Sequence, residues 1–335
     1  MRKRLLIWSI ATVMLSSCTE DDNHSFKEDG PQAIEFGQLE TRAEITSKDS
    51  IREFGVCAQM NLVNDNNPQP NKYVDLLTNE KVYRDDSTTP WDYANKRYWI
   101  ADRTFRFLGV YPYMDGAIES ATLTQNGVSH DGYRVAFANP TSADSEDMKD
   151  LMTATNEVVL SPDQTNYNTP VTLTFNHVLS KVSFKVAKAT VNADEKVNIT
   201  SITLGGIWKT GTLCTVPESS EYTDNWDFYG ATTTAISKRS FSDTEISVEG
   251  TEVMRNLLLI PQTIPVNAIR LTIGYTFQET NSLTAQTFLP VGEWKPNYVY
   301  NYTIHLAAET SEIKVATPQA NIWGKQQLTG TIIIQ

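Results

Sequence analysis

The sequence predicts an all-β protein built as two antiparallel β-sandwich domains in series. Three observations carry this. Apolar and polar residues alternate at a period of two through most of the chain, sustained helical periodicity is nearly absent, and clusters of proline, glycine and asparagine cut the alternating runs short. At 335 residues the chain is also too long for one ordinary sandwich of about 100–150 residues.

The N-terminus comes first. Arg2, Lys3 and Arg4 precede an apolar run from Leu5 to Leu15, then Ser16, Ser17 and Cys18. Residues 1–17 have the three parts of a secretory signal peptide, and the apolar run is about half of the roughly 20 residues a membrane-spanning helix needs. Leu15-Ser16-Ser17-Cys18 resembles the bacterial lipobox, which makes Cys18 the expected acylated attachment to outer-membrane lipid. Residues 18–32 read as an acidic tether, because seven acids against two bases between Cys18 and Arg42 keep such a segment solvated. Acids directly after a lipidated cysteine resemble the signal that sends certain Gram-negative lipoproteins to the cell surface; a plain hydrophilic spacer is the bland alternative.

Loss of residues 1–17 removes three bases and no acids, taking the net charge from −12 to −15. No basic cluster lies outside the signal, so nucleic acid is not an expected partner. Cys57 and Cys214 sit in apolar settings, "FGVCAQM" and "GTLCTV", where a small buried thiol is the common outcome and a disulfide the alternative.

From residue 33 the strands follow. In "TFRFLGVYPY", Phe105, Phe107, Tyr111 and Tyr113 share one phase and Leu108 and Val110 the other, which predicts a strand covered on both faces. "SEDMKDLMTA" is the best short helix candidate and reads equally as a polar loop. "SPDQTNYNTP", at 161–170, is the expected boundary between an N-terminal domain of 33–165 and a C-terminal domain of 166–335. In "VTLTFNHVLSKVSFKV" the inward set changes from odd to even positions, which demands a bulge or tight connection between Asn176 and Lys181. In "AIRLTIGYTF" and "YVYNYTIHL", Ile269, Leu271, Ile273, Tyr275 and Phe277, and Tyr298, Tyr300, Tyr302, Ile304 and Leu306, are the expected core faces.

Catalytic groups do not converge. His24 falls in the tether, His130 in a turn-like "SHDG" and His305 on a water-facing phase, all three expected in solvent; His177 sits at the phase change. No phosphate loop and no nucleophile elbow occur. No enzyme activity and no cofactor are expected. Asp144, Glu146, Asp147 and Asp150 cluster without the glycine or spacing of a calcium loop, so no metal is expected either. Trp226, Phe228 and Tyr229 in "DNWDFYG" are candidates for stacking on a glycan, against the ordinary reading of aromatic packing.

Taken together, "AIEFGQLETRA", "RYWIADRTFRFLGVYPY", "DLMTA", "VTLTFNHVLSKVSFKV", "LLLIPQ", "GEWKPNYVYNYTI" and the late Trp323 make the chain resemble the Mfa-like fimbrillin family of lipoprotein pilins, over nearly its whole length. Asn297 stands where many relatives carry a turn glycine, and asparagine tolerates the same positive φ. The resemblance implies two transthyretin-like sandwiches and assembly by donor-strand exchange. An arginine-specific protease removes the first strand, and a strand of another fimbrial subunit fills the groove. On this sequence the cut falls at Arg42-Ala43, with Arg52 a nearby competitor, and the strand removed carries Ile34 and Phe36 on one face. The donor candidate is residues 328–334, with Ile332, Ile333 and Ile334; its alternative is a last core strand. The function so implied is an adhesive fimbrial subunit at the surface of the outer membrane, and the alternative a monomeric glycan-binding surface lipoprotein.

Overall fold

A computed structural model describes residues 32–41, 51–62, 72–143, 148, 150–164, 167–189, 194–217, 221–239, 241, 244–278 and 281–323. Every regular element among them is a strand. The helix candidate at 145–154 is not formed in its described part, where Met152 already opens a strand.

The first sheet has six strands: β1 (Phe36–Thr41), β2 (Glu53–Asn61), β3 (Tyr73–Tyr83), β4 (Thr104–Tyr111), β7 (Met152–Val159) and β8 (Val171–His177), in the order β1-β8-β7-β4-β2-β3. The second joins β5 (Ile118–Gln125), β6 (Val128–Ala138), β11 (Thr210–Thr215) and β12 (Asn225–Asp227), in the order β12-β11-β6-β5. Between them lies a core of Cys57, Leu108, Val110, Tyr133, Val135 and Leu213. The opposite face of the first sheet carries Phe54, Phe105, Phe107, Leu173 and Phe175, packed with Tyr93 and Trp99 from the connection between β3 and β4. β4 is thus buried on both faces, as its double phase requires.

The remaining strands enclose one further core. β10 (Val197–Trp208), β13 (Thr233–Lys238), β14 (Thr244–Glu245), β17 (Arg270–Phe277) and β18 (Asn281–Phe288) form one sheet. β9 (Ser180–Lys188), β15 (Thr251–Leu259), β20 (Tyr298–Ala307), β21 (Glu312–Val315) and β22 (Gln319–Ile322) form another, and β16 (Gln262–Ile264) pairs β19 (Gly292–Trp294). Leu271, Ile273 and Tyr275 meet Val182, Phe184, Val186, Tyr302 and Ile304 in this core, and the alternation of β17 and β20 is realised. Asn297 has φ 63° in the turn before β20, as expected.

The boundary at 165/166 does not follow the sheets. β8 lies beyond it in sequence, yet it pairs β7 and β1 of the first sheet, so 161–170 is a connection inside that sheet. The chain crosses to the third core at Val178–Leu179, where the phase change falls, and returns through β11 and β12 to the second sheet. The crossings are pinned by hydrogen bonds from Ile260 N to Asn139 Oδ1 (2.9 Å) and from Trp208 N to Gln262 Oε1 (3.2 Å).

Candidate functional site

The segment 32–41 is an edge piece with a buried interior face. Among the described residues its only neighbour in the sheet is β8, to which β1 runs parallel: Phe36 stands opposite Val171, Leu39 opposite Leu173 and Thr41 opposite Phe175. Between Phe36 and Leu39 the register shifts by one residue, a bulge. Inward-facing side chains therefore follow a spacing of two, then three: Ile34, Phe36 and Leu39, all 5 % exposed or less. At about 1.5–3 kcal/mol for each buried side chain, the three contribute about 5–9 kcal/mol as an upper bound.

Phe36 supplies the centre. Its ring meets Tyr93 at 5.6 Å, Phe54 at 6.1 Å and Phe107 at 6.3 Å between centroids, every contact edge-to-face. Such pairs add about 0.5–1.5 kcal/mol each beyond area, since the positive ring edge meets a negative face. Gly37 lets β1 close on β8: a Cβ there would stand 3.2 Å from Pro170 Cβ.

The connection from β3 to β4 straps the other side. Ile34 N donates to Arg97 O at 2.8 Å, Trp99 N to Gln32 O at 3.0 Å, and Ala33 bridges Tyr98. The buried Tyr93 hydroxyl donates to Ile34 O at 2.9 Å and accepts from Arg97 N at 3.2 Å. Burial holds its phenol above the usual range. Val171 N donates to Glu35 O at 2.8 Å and joins the segment to β8. Lys96 and Arg84 lie over the rings of Tyr93 and Trp91, at 4.2 and 4.3 Å. The sequence placed Ile34 and Phe36 on one face and Leu173 and Phe175 inward, but Tyr93 and Trp99 were not anticipated as walls; the dense aromatics of "WDYANKRYW" were the available signal.

The other candidates distribute as follows. Cys18, Arg42, Ala43, Ile332, Ile333 and Ile334, together with Asp144, Glu146 and Asp147, lie outside the described residues. Among the described residues no group of three or more His, Cys, Asp or Glu is placed to hold a metal. Trp226 and Phe228 are partly buried against the core between the first two sheets, and Phe228 stacks on Trp208 at 5.0 Å. Tyr229 stands 98 % exposed, so the three rings do not form one platform. Cys57 and Cys214 are both free and buried, in separate clusters.

His130 corrects its expectation: it lies within β6, 3 % exposed, its ring edge-on to Tyr222. His177 ends β8 and is buried, stacked face to face on Trp323 at 3.5 Å. Its Nδ1 lies 2.7 Å from Asp150 Oδ2, off the geometry of a directed hydrogen bond. An open depression of about 550 Å³ on the outer face of β9 and β20 is lined by polar groups, Lys185, Glu252, Asn301 and Thr303 among them.

The described residues form an all-β sandwich body whose apolar groove is filled by the strand at Phe36–Thr41. A family model described as fimbrillin-like matches residues 41–323, and the chain belongs to that family. It is 27 % identical over 221 residues to a fimbrium subunit, Fim1C, of Phocaeicola vulgatus; the match covers 61 % of this chain and 57 % of that relative's length. The fold is similar to a fimbrial protein from Bacteroides vulgatus (TM-score 0.58, 19 % identity, 87 % of this chain and 99 % of that one). It is also similar to a putative cell adhesion protein from Bacteroides ovatus (TM-score 0.51, 15 % identity, 89 % and 99 %).

Proposed function

We propose that this fimbrial subunit is exported as a lipoprotein, acylated at Cys18 and held at the outer membrane by the acidic tether. Cleavage by an arginine-specific protease at Arg42-Ala43 then releases it from that anchor together with β1. A strand from another subunit takes the vacated place, and the resulting polymer mediates adhesion. The tail carrying Ile332, Ile333 and Ile334 serves as a donor to a neighbouring subunit.

One observation supports this above the others: the residues before Arg42 form a strand that, among the described residues, lies at the edge of its sheet beside β8, with Ile34, Phe36 and Leu39 buried. Removing such a strand opens an apolar groove and unpairs the edge of β8, both of which a foreign strand repairs. The test is the N-terminal residue of the mature surface form. Ala43 is expected, and Arg42→Ala should leave acylated Cys18 as the N-terminus and abolish heat-sensitive oligomers. Oligomers that form undiminished from Arg42→Ala with Cys18 retained would sink the proposal.

A further inference from the structure

The groove has a shape of its own, and that shape selects a donor. Resting on the strand-exchange reading above, we infer that the incoming strand comes from a different polypeptide. That strand carries an aromatic ring at the Phe36 position, an aliphatic side chain two residues before it and another three residues after it.

Three residue steps of β1, from Phe36 to Leu39, span the distance that two steps of β8, from Val171 to Leu173, cover. A regularly alternating strand laid parallel to β8 would therefore fall out of phase with the pockets after its centre. The spacing of two, then three, belongs to the groove as much as to β1, because Leu39 stands opposite Leu173, a fixed position of β8 in the same buried cluster.

The centre is stricter. The Phe36 ring lies between Tyr93, Phe54 and Phe107, each presenting its edge or face at 5.6–6.3 Å. All three walls are backed by the core: Phe54 and Phe107 are fully buried and Tyr93 is 2 % exposed. Walls so held do not collapse onto a smaller side chain, so a branched aliphatic residue leaves a void and forfeits every ring contact. The carbonyl two residues earlier accepts from the Tyr93 hydroxyl in β1, a bond the donor's main chain repeats when its ring occupies the Phe36 position.

This chain's own donor candidate does not fit. Residues 324–335, "GKQQLTGTIIIQ", contain no aromatic side chain. Where aliphatic residues fall two before and three after a central position in that stretch, the centre is not a ring: Leu328 and Ile333 flank Gly330. A copy of the same chain is therefore a poor donor to this groove, and the preferred partner is another subunit whose donor segment carries the ring.

The experiment uses the chain without its signal and lipidated cysteine, cut by an arginine-specific protease and checked for an Ala43 terminus. A fluorescent peptide of residues 32–41 is bound, and competitors displace it: the unlabelled peptide, its Phe36→Ile and Leu39→Ile variants, and the peptide 324–335. Expected is a loss of about tenfold or more in competition for Phe36→Ile and for 324–335, with Leu39→Ile close to the parent. Equal competition by Phe36→Ile overturns the aromatic requirement, and equal competition by 324–335 overturns the different-partner assignment. A cut chain that takes up no peptide, its own segment included, sinks the strand-exchange reading itself. Should the cut chain lose its fold, the ranking is read in the uncut chain by hydrogen exchange at Val171 N–H. There Phe36→Ile should accelerate exchange about tenfold more than Leu39→Ile, and equal effects overturn the inference.

Discussion

Replacing Tyr93 by phenylalanine removes one oxygen atom and tests how the first strand is held. The hydroxyl serves two backbone groups at once, donating to Ile34 O at 2.9 Å and accepting from Arg97 N at 3.2 Å. Ile34 O is buried, so losing its donor costs about 1–3 kcal/mol, whereas the partly buried Arg97 N–H recovers water and costs about 0.5–1 kcal/mol. The sum, about 1.5–4 kcal/mol, falls on the docking of residues 32–41, because the Tyr93 ring keeps its packing against Phe36. At about 1.4 kcal/mol per power of ten, exchange of the Ile34 and Val171 amides should accelerate between about tenfold and about a thousandfold. These amides donate to Arg97 O and Glu35 O, so they report whether the segment is docked. Amides of β17, in the other core, serve as the internal control and should not change. If Tyr93→Phe leaves the Ile34 and Val171 amides as protected as before, the hydroxyl does not clamp the strand and the reasoning fails.

Other expectations follow from separate parts of the molecule. Cys57 is fully buried and its thiol is pushed up to about 12 by that burial, so iodoacetamide at pH 8 should leave it untouched until the chain unfolds; rapid native alkylation would contradict the packing. Tyr302 is buried, with its phenol pushed up to about 12. A pKa raised on folding means stability intact below about 10 and lost as pH climbs toward 12, by about 2–3 kcal/mol, so unfolding midpoints should fall over that window and fall less in Tyr302→Phe. Trp323→Ala deletes the ring stacked on His177 and should cost about 3–5 kcal/mol in urea unfolding; a cost below about 1 kcal/mol would mean the stack does not hold β22. Gly206 has φ 89° with Ala268 O where a Cβ would go, so Gly206→Ala should destabilise by more than about 1 kcal/mol; an unchanged midpoint would refute the close approach.

How much of this was legible depends on what a period of two can report. It states which side chains share a face, and for β4, β17 and β20 that was enough to place Phe107, Tyr275 and Ile304 inside. It does not state which sheet a strand joins. β8 and β9 carry the same kind of alternation three residues apart, yet one pairs β1 and β7 and the other β15 and β20. The phase change between Asn176 and Lys181 marked the handover, but only long-range pairing shows it as a passage between cores. His130 was misplaced for a related reason: "SHDG" has turn composition, and the strand across from it, β5, decides otherwise. Tyr93 and Trp99 were not read as walls of the groove because they sit in a connection with no period, where only the density of aromatics hints at burial.

Geometry reconciles two demands on β1 that pull against each other. Under the proposed strand exchange, the strand completes the fold before assembly and then leaves. Its side chains answer the first demand, since Ile34, Phe36 and Leu39 fill pockets that would otherwise expose Phe54, Phe107, Leu173 and Phe175. Its backbone answers the second. The pairing with β8 is parallel, slightly weaker per residue than antiparallel pairing, and a bulge interrupts it after Phe36. Side-chain burial is transferable to a donor of matching shape, so the energy resides in what such a donor brings, while little resides in a ladder specific to β1. The Tyr93 hydroxyl is the exception, a directed bond to main chain that any residue supplies. A strand fixed mostly by its side chains can be exchanged for another that presents similar side chains, and the strap through Arg97 and Trp99 need open only once for the exchange to proceed.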